Sequence, residues 1–161
     1  MVRNAEKKDL EALAAIERAA ARRFPAGRLH DPEATLSSDV LEASLESDLL
    51  FAHEEQGRVV GFACATREER FVHLHEMSVH PEFGQRGIGS LLLARVIEEA
   101  RSDGAVGVTL TTFVDIPWNQ PFYRRRGFAS GTSSAPSFLK RKLESEADAG
   151  MTGRIAMVYA F

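Results

Sequence analysis

Apolar positions fall at helical spacing near the start of the chain, and then the spacing changes to two. Leu10, Leu13, Ile16, Ala20 and Phe24 recur about every 3.6 residues, which predicts an amphipathic helix over 10–24 with Asp9 as its cap. Pro25, Gly27 and Pro32 end it. Ser37 or Ser38 opens a shorter helix near 39–47, so the loop at 25–37 reads as a lid-like segment. From residue 48 alternation takes over. Residues 48–55 and 59–67 are two strands of a hairpin, and 70–79 is a further antiparallel strand. Helical spacing returns over 88–101, and 105–113 is again a strand. Strand, helix and strand in that order predict parallel neighbours joined by a right-handed crossover. A short helix over 120–127 stops at Gly127, and a strand covers 128–132. A helix over 136–150 stops at Gly150, and the final strand is 154–161. Residues 2–5 add an edge strand. The pattern predicts an α/β architecture, a mixed sheet with helices on its faces.

Composition narrows the setting. The 161 residues suit one domain, 1–161. Hydrophobic residues at 44% and charged residues at 27% are ordinary for a globular protein. A formal charge of −3 argues against a nucleic-acid partner. No apolar run reaches the roughly 20 residues of a membrane span. Cys64 is the one cysteine, so no internal disulfide forms. It sits mid-strand and reads as a small buried residue. A reducing cytoplasmic setting, with the chain as monomer or homodimer, is the expectation.

The densest information lies in FVHLHEMSVHPEFGQRGIGS, residues 71–90. A strand runs through a glycine-rich turn into a helix, whose first N–H groups have no partner inside the helix and whose dipole favours an anion. Gly87 and Gly89 let a ligand approach the backbone. Neither a GxGxxG nor a P-loop signature is present. The turn reads Gly84-Gln85-Arg86-Gly87-Ile88-Gly89. It resembles the acyl-CoA pyrophosphate loop of the GCN5-related N-acetyltransferases (GNAT), Gln/Arg-x-x-Gly-x-Gly/Ala, with Gly84 in place of the first Gln or Arg. The order of elements resembles the whole of that fold, a central mixed, mostly antiparallel sheet flanked by helices, and is loosest at 131–150. The resemblance implies acetyl-CoA as cosubstrate. Its pyrophosphate would lie on Gly84, Gln85, Arg86, Gly87, Ile88, Gly89 and Ser90. Its pantetheine arm would pair with the backbone of Met77, Ser78 and Val79, and Asn119 and Phe122 would add contacts. Arg124, Arg125 and Arg126 stand near enough in sequence to reach its phosphates.

His73 and His75 stand two apart on the strand and so share a face of the sheet in a regular pleat. Phe71 and Met77 share it with them; Val72, Leu74 and Glu76 take the other. His80, Asp115 and Glu76 could add to a histidine pair as metal ligands, but no ligand-rich motif such as HExxH occurs, so no metal is expected. A neutral imidazole can take the proton of an alkylammonium. The segment HLHEMSVH resembles the strand of arylalkylamine (serotonin) N-acetyltransferases, which implies His73 and His75 as base or water relay. Glu76 competes for that role and needs a bulge to turn it round. Tyr123, in PFYRRRGF, matches the family tyrosine that protonates the CoA thiolate. The resemblance therefore implies direct transfer of acetyl to a primary amine of a small molecule. A catalytically inactive CoA-binding module and acetylation of protein amines are the alternatives. Phe24, Phe71 and Trp118 would suit an aryl-alkyl amine; Asp31, Glu33, Asp39 and Glu42 would suit a polycation.

Overall fold

A computed structural model describes residues 1–130 and 135–161. Seven strands form one sheet in the order β1-β2-β3-β4-β5-β7-β6. They are β1 (Val2–Asn4), β2 (Leu50–Glu55), β3 (Arg58–Glu68), β4 (Phe71–Val79), β5 (Gly107–Phe113), β6 (Ala129–Ser130) and β7 (Arg154–Ala160). Every pairing is antiparallel except β4 with β5. The helices are α1 (Leu10–Ala21), α2 (Ser38–Glu46), α3 (Ile88–Ser102), α4 (Gln120–Arg124) and α5 (Ser137–Asp148). The strand predicted over 128–132 is seen at Ala129–Ser130, and its last two residues lie outside the described part.

Two predictions about helix starts part company. Ser37 caps α2, its hydroxyl accepting the Val40 N–H. Asp9 does not cap α1 with its side chain. A 3-10 turn, Lys7–Asp9, precedes the helix, and the Asp9 carboxylate reaches back to the Glu6 N–H and to Arg3 at 2.8 Å. The arginine holds its pKa below the usual range. At the other end α1 stops three residues short of Phe24, because Arg23 and Phe24 bond to Ala20 and Ala21 in tight i→i−3 turns. Phe24 is thereby released from the helix face into the interior of the site described below.

The sheet has apolar packing on both faces. Ile88, Leu92, Leu93, Val96 and Ala100 of α3 pack with Ala63, Ala65, Val72, Leu74 and Val108. Leu13 and Ile16 of α1 pack with Phe62, Cys64, Leu50 and Ala52 on the opposite face. Gly61 sets how closely α3 sits. A Cβ there would lie 3.1 Å from Ile88 and 3.3 Å from Leu92, so the missing side chain lets the start of α3 rest against β3.

Two irregularities shape the centre of the sheet. In β4, Glu76 pairs with Cys64 and Leu74 with Ala65, which leaves His75 as the extra residue of a β-bulge. Second, β4 pairs with β5 only over Val72–Leu74 and Val108–Leu110. Beyond Leu74 the two strands have no pairing, while β7 covers β5 along its whole length. The sheet therefore opens between β4 and β5.

Candidate active site

The opening between β4 and β5 leads into two cavities. One, of about 410 Å³, is lined by Met77, Ser78, Val79, Gly84, Gln85, Gly87, Ile88, Gly89, Ser90, Asn119 and Phe122. Of the residues predicted to hold the cosubstrate, only Arg86 lies outside this lining; it stacks on Phe83 and pairs with Glu55 at 3.6 Å. Gly87 begins α3 with φ of +79°, and no side chain caps the helix. The Leu91 N–H closes onto the Gly87 carbonyl, and the N–H groups before it are the orphan donors of a helix start. Arg126 locks this corner. Its guanidinium donates to the Ser90 hydroxyl at 2.6 Å and to the Phe122 carbonyl at 2.9 Å, and lies 3.7 Å over the Phe122 ring. Arg23, stacked on Trp118, is the other cation of this wall. Glu76 is its one carboxylate, at the inner end. Of the arginine run, Arg126 alone lines the cavity.

The other cavity, of about 470 Å³, lies under the loop between α1 and α2. Glu76, Met77, Ser78, Asn119, Tyr123, Phe24 and Ala20 line both, so the two spaces meet there. His75 lines the second cavity only, and His73 lines neither. His73 is 3% exposed, donates or accepts at Thr109 (2.9 Å) and packs against Phe138 of α5. Phe71 packs on the same phenylalanine. Trp118 lines the first cavity, and Phe24 and Asp31 line the second; Glu33, Asp39 and Glu42 line neither.

The bulge corrects the assignment of faces on β4. Met77 packs with Val72 and Leu74 on the α3 side, next to Gly89, not beside the histidines. Glu76 turns to the side of His75, where both line the second cavity. A signal for this stands in the sequence. Apolar residues 72, 74, 77 and 79 break the spacing of two once, between Leu74 and Met77, and a bulge is what a spacing of three within a strand produces.

Burial tunes these groups in opposite senses. It lowers the His75 pKa to about 4, with Lys142 adding to the shift and Glu68 opposing it. Its Nε2 sits 2.7 Å from the Thr66 hydroxyl. Burial also lowers His73, with His75 as a second cause. Both rings are therefore neutral at neutral pH. The carboxyls move up. Burial raises Glu76, against the Ser78 hydroxyl that donates to it at 2.8 Å. Glu17 of α1, in the wall of the second cavity, is raised to about 7 by burial and then by Glu76. The Leu36 N–H donates to it at 3.0 Å. Tyr123 is 9% exposed, and burial lifts its phenol above its ordinary value. Cys64 is fully buried, and burial pushes its thiol up to about 12, so it is inert. Among the described residues no three His, Cys, Asp or Glu side chains gather as a metal site, and no helix is long and apolar enough to cross a membrane.

Known proteins share both sequence and fold with this chain. The family model described as acetyltransferase (GNAT) family matches residues 13–128. An uncharacterized N-acetyltransferase of Methanocaldococcus jannaschii is 38% identical over 90 residues, 52% of this chain and 40% of that protein. The chain spans between 40% and 56% of the length of the curated relatives it matches. N-acetylglutamate synthase from Neisseria gonorrhoeae, solved with coenzyme A and N-acetyl-glutamate, superposes with a TM-score of 0.75 at 20% identity, over 99% of this chain and 34% of that one. PaiA N-acetyltransferase from Thermoplasma acidophilum, solved with coenzyme A, gives 0.69 at 16% identity, over 100% and 98%.

Proposed function

We propose, for a chain that belongs to the acetyltransferase (GNAT) family, that it moves acetyl from acetyl-CoA to the primary amine of a small molecule, both held at once. One observation carries this reading. A cavity that begins at an uncapped helix start meets a second cavity at Glu76 and Tyr123. The first fits the cosubstrate. Its wall offers helix N–H groups and two arginines for phosphates, and the edge of β4 that β5 leaves unpaired offers backbone groups to an amide-bearing arm. The second fits the acceptor.

The residues at the junction suit the steps of direct transfer. An alkylammonium must lose a proton before its nitrogen can attack. Glu76 is the better placed base, because a carboxyl with a raised pKa holds a proton more willingly than His75 at about 4. His75 then serves as its polar neighbour, and His73 holds the strand to β5 through Thr109. As nitrogen bonds to the thioester carbon and the carbon–sulfur bond breaks, the leaving thiolate takes the proton of the Tyr123 hydroxyl. Burial keeps that phenol protonated at neutral pH, and the same desolvation raises the basicity of a thiolate formed beside it. Holding the two reactants together supplies most of the acceleration.

The test is thiol release from acetyl-CoA against amines, aminoglycosides and peptides, beside a calorimetric titration with acetyl-CoA alone. Release that requires both a small amine and acetyl-CoA is expected. Tight acetyl-CoA binding with no release for any acceptor would make the chain a CoA-binding module.

A further inference from the structure

The acceptor cavity carries a positive group that the acetyl-transfer steps leave without a task. Arg154 of β7 stands opposite Phe113 of β5 and lines that cavity. Its side chain is 16% exposed. One edge of the guanidinium is fully engaged. Nε donates to Glu146 at 3.4 Å, and Nη2 donates to Glu146 at 3.2 Å, to the Thr111 hydroxyl at 3.1 Å and to the Thr111 carbonyl at 3.3 Å. The plane is further fixed 4.5 Å above the Phe113 ring. The remaining nitrogen, Nη1, has no hydrogen-bond partner among the described residues. A guanidinium locked along one edge, with its other donors free in a cavity wall, is a preorganised anion receptor. A second guanidinium, Arg28, lies 4.7 Å from the centre of the same ring and lines the same cavity. Its salt-bridge partner is Asp115, which is exposed and outside the lining.

Four carboxyls line the same space. Glu146 is the one paired to Arg154, whereas Glu76, Glu17 and Asp31 form no salt bridge among the described residues; Glu76 stands beside Tyr123 and Ser78 in the part shared with the first cavity. Arg154 is close enough to these groups to oppose the upward shifts of Glu76 and Tyr123. A cavity with carboxyls where the amine must react, and a free guanidinium edge a short step away, complements a molecule carrying both charges on neighbouring atoms. Resting on the acetyltransferase reading, we propose that the acceptor is an α-amino acid, its ammonium facing Glu76 and Glu17 and its carboxylate bound to Nη1 of Arg154. The apolar lining, Phe24, Leu110, Phe113 and Met151, leaves room for its side chain.

The experiment compares neutral L-amino acids with their own decarboxylated amines, and with 1,4-diaminobutane, by thiol release from acetyl-CoA. Wild type should favour the amino acid over its amine by at least about 10-fold in kcat/KM, mainly through KM, as the loss of a charge-assisted contact implies. Arg154→Gln should lower that ratio by about 10²-fold, and Arg154→Lys, which keeps the charge without the fork, should lower it less. Acetyl-CoA affinity by calorimetry reports whether each variant is folded. Should Arg154→Gln fail that check, the wild-type comparison and Arg154→Lys still decide. A wild type that prefers the amine or the diamine overturns the proposal, as does a ratio that Arg154→Lys and Arg154→Gln leave unchanged. Transfer to no member of any set overturns the acetyltransferase reading instead, and this inference falls with it.

Discussion

Glu76 and His75 are neighbours in sequence and in the cavity wall, yet one environment drives them apart. Desolvation disfavours charge in both, which lifts the carboxyl and depresses the imidazole. The pH profile should therefore name the base. If Glu76 takes the amine's proton, kcat at saturating acceptor falls as pH drops through its raised pKa, so the acidic limb lies above the ordinary carboxylate range. Glu76→Gln should cost about 10²–10⁴-fold and abolish that limb, whereas His75→Gln should keep it. A limb lost with His75 and kept with Glu76→Gln would return the role to the histidine. At this scale the sequence was partly legible. The His-x-His spacing places two rings together, and they do lie 4.8 Å apart. What the local pattern could not weigh is depth: His73 is turned toward α5, a helix more than sixty residues away in sequence. Glu76 reaches the cavity only through the one-residue slip that the 74-to-77 spacing marks.

Among the elements, α3 and the turn before it were the most readable, because glycine constraints are local. Gly87 adopts a left-handed φ where the turn meets the helix, and helical spacing needs no partner to be seen. The opening between β4 and β5 was not readable, since it depends on where pairing stops and not on which residues are present. Two glycines near α3 separate its support from its ligand contact. A side chain at Gly61 would press on Ile88, Leu92 and the Ser78 carbonyl at 3.1–3.3 Å, whereas one at Gly89 would meet Phe122 at 3.6 Å, ordinary contact. Gly61→Val should cost about 1–3 kcal/mol of stability by overpacking and shift the helix start as well. Gly89→Val should fold nearly as well as wild type and still bind acetyl-CoA much more weakly, because its bulk stands in the cavity. Denaturant melts and acetyl-CoA titrations of both variants check this. Normal affinity in folded Gly89→Val would remove the helix start from the cosubstrate site.

Seen as one body, the molecule lines one side of its second cavity with a loop fastened at two points. Arg28 bonds Asp115 and reaches Thr152, while the Leu36 N–H bonds Glu17 on α1. That 25–37 is a loop was legible from Pro25, Gly27 and Pro32; its fastenings were not, because they lie on α1 and on loops far along the chain. One fastening titrates. Glu17 has a folded pKa of about 7, above its unfolded value of 4.5, so the folded state binds its proton more tightly. Stability contributed by this group is present below pH 4.5 and lost as pH rises to about 7. His73 and His75, lowered on folding, act in the opposite sense below pH 6.5. Comparison with Glu17→Gln isolates the carboxyl, since the amide keeps an oxygen for Leu36. The variant should gain thermal stability relative to wild type as pH rises from 5 to 8, by the sign above. A gap in Tm that stays flat or narrows over that range would contradict it.

The same carboxyl has a consequence for how acceptor binding looks from solution. With its pKa raised to about 7, Glu17 still carries a proton into the neutral range, where an ordinary carboxyl has lost it. An ammonium entering the cavity it lines favours the ionised form and expels that proton. If the acceptor is the amine proposed above, its capture is an exchange of one cation for another: the heat evolved would carry the ionisation enthalpy of the buffer, and apparent affinity would rise with pH through neutrality although the charge on the amine has not changed.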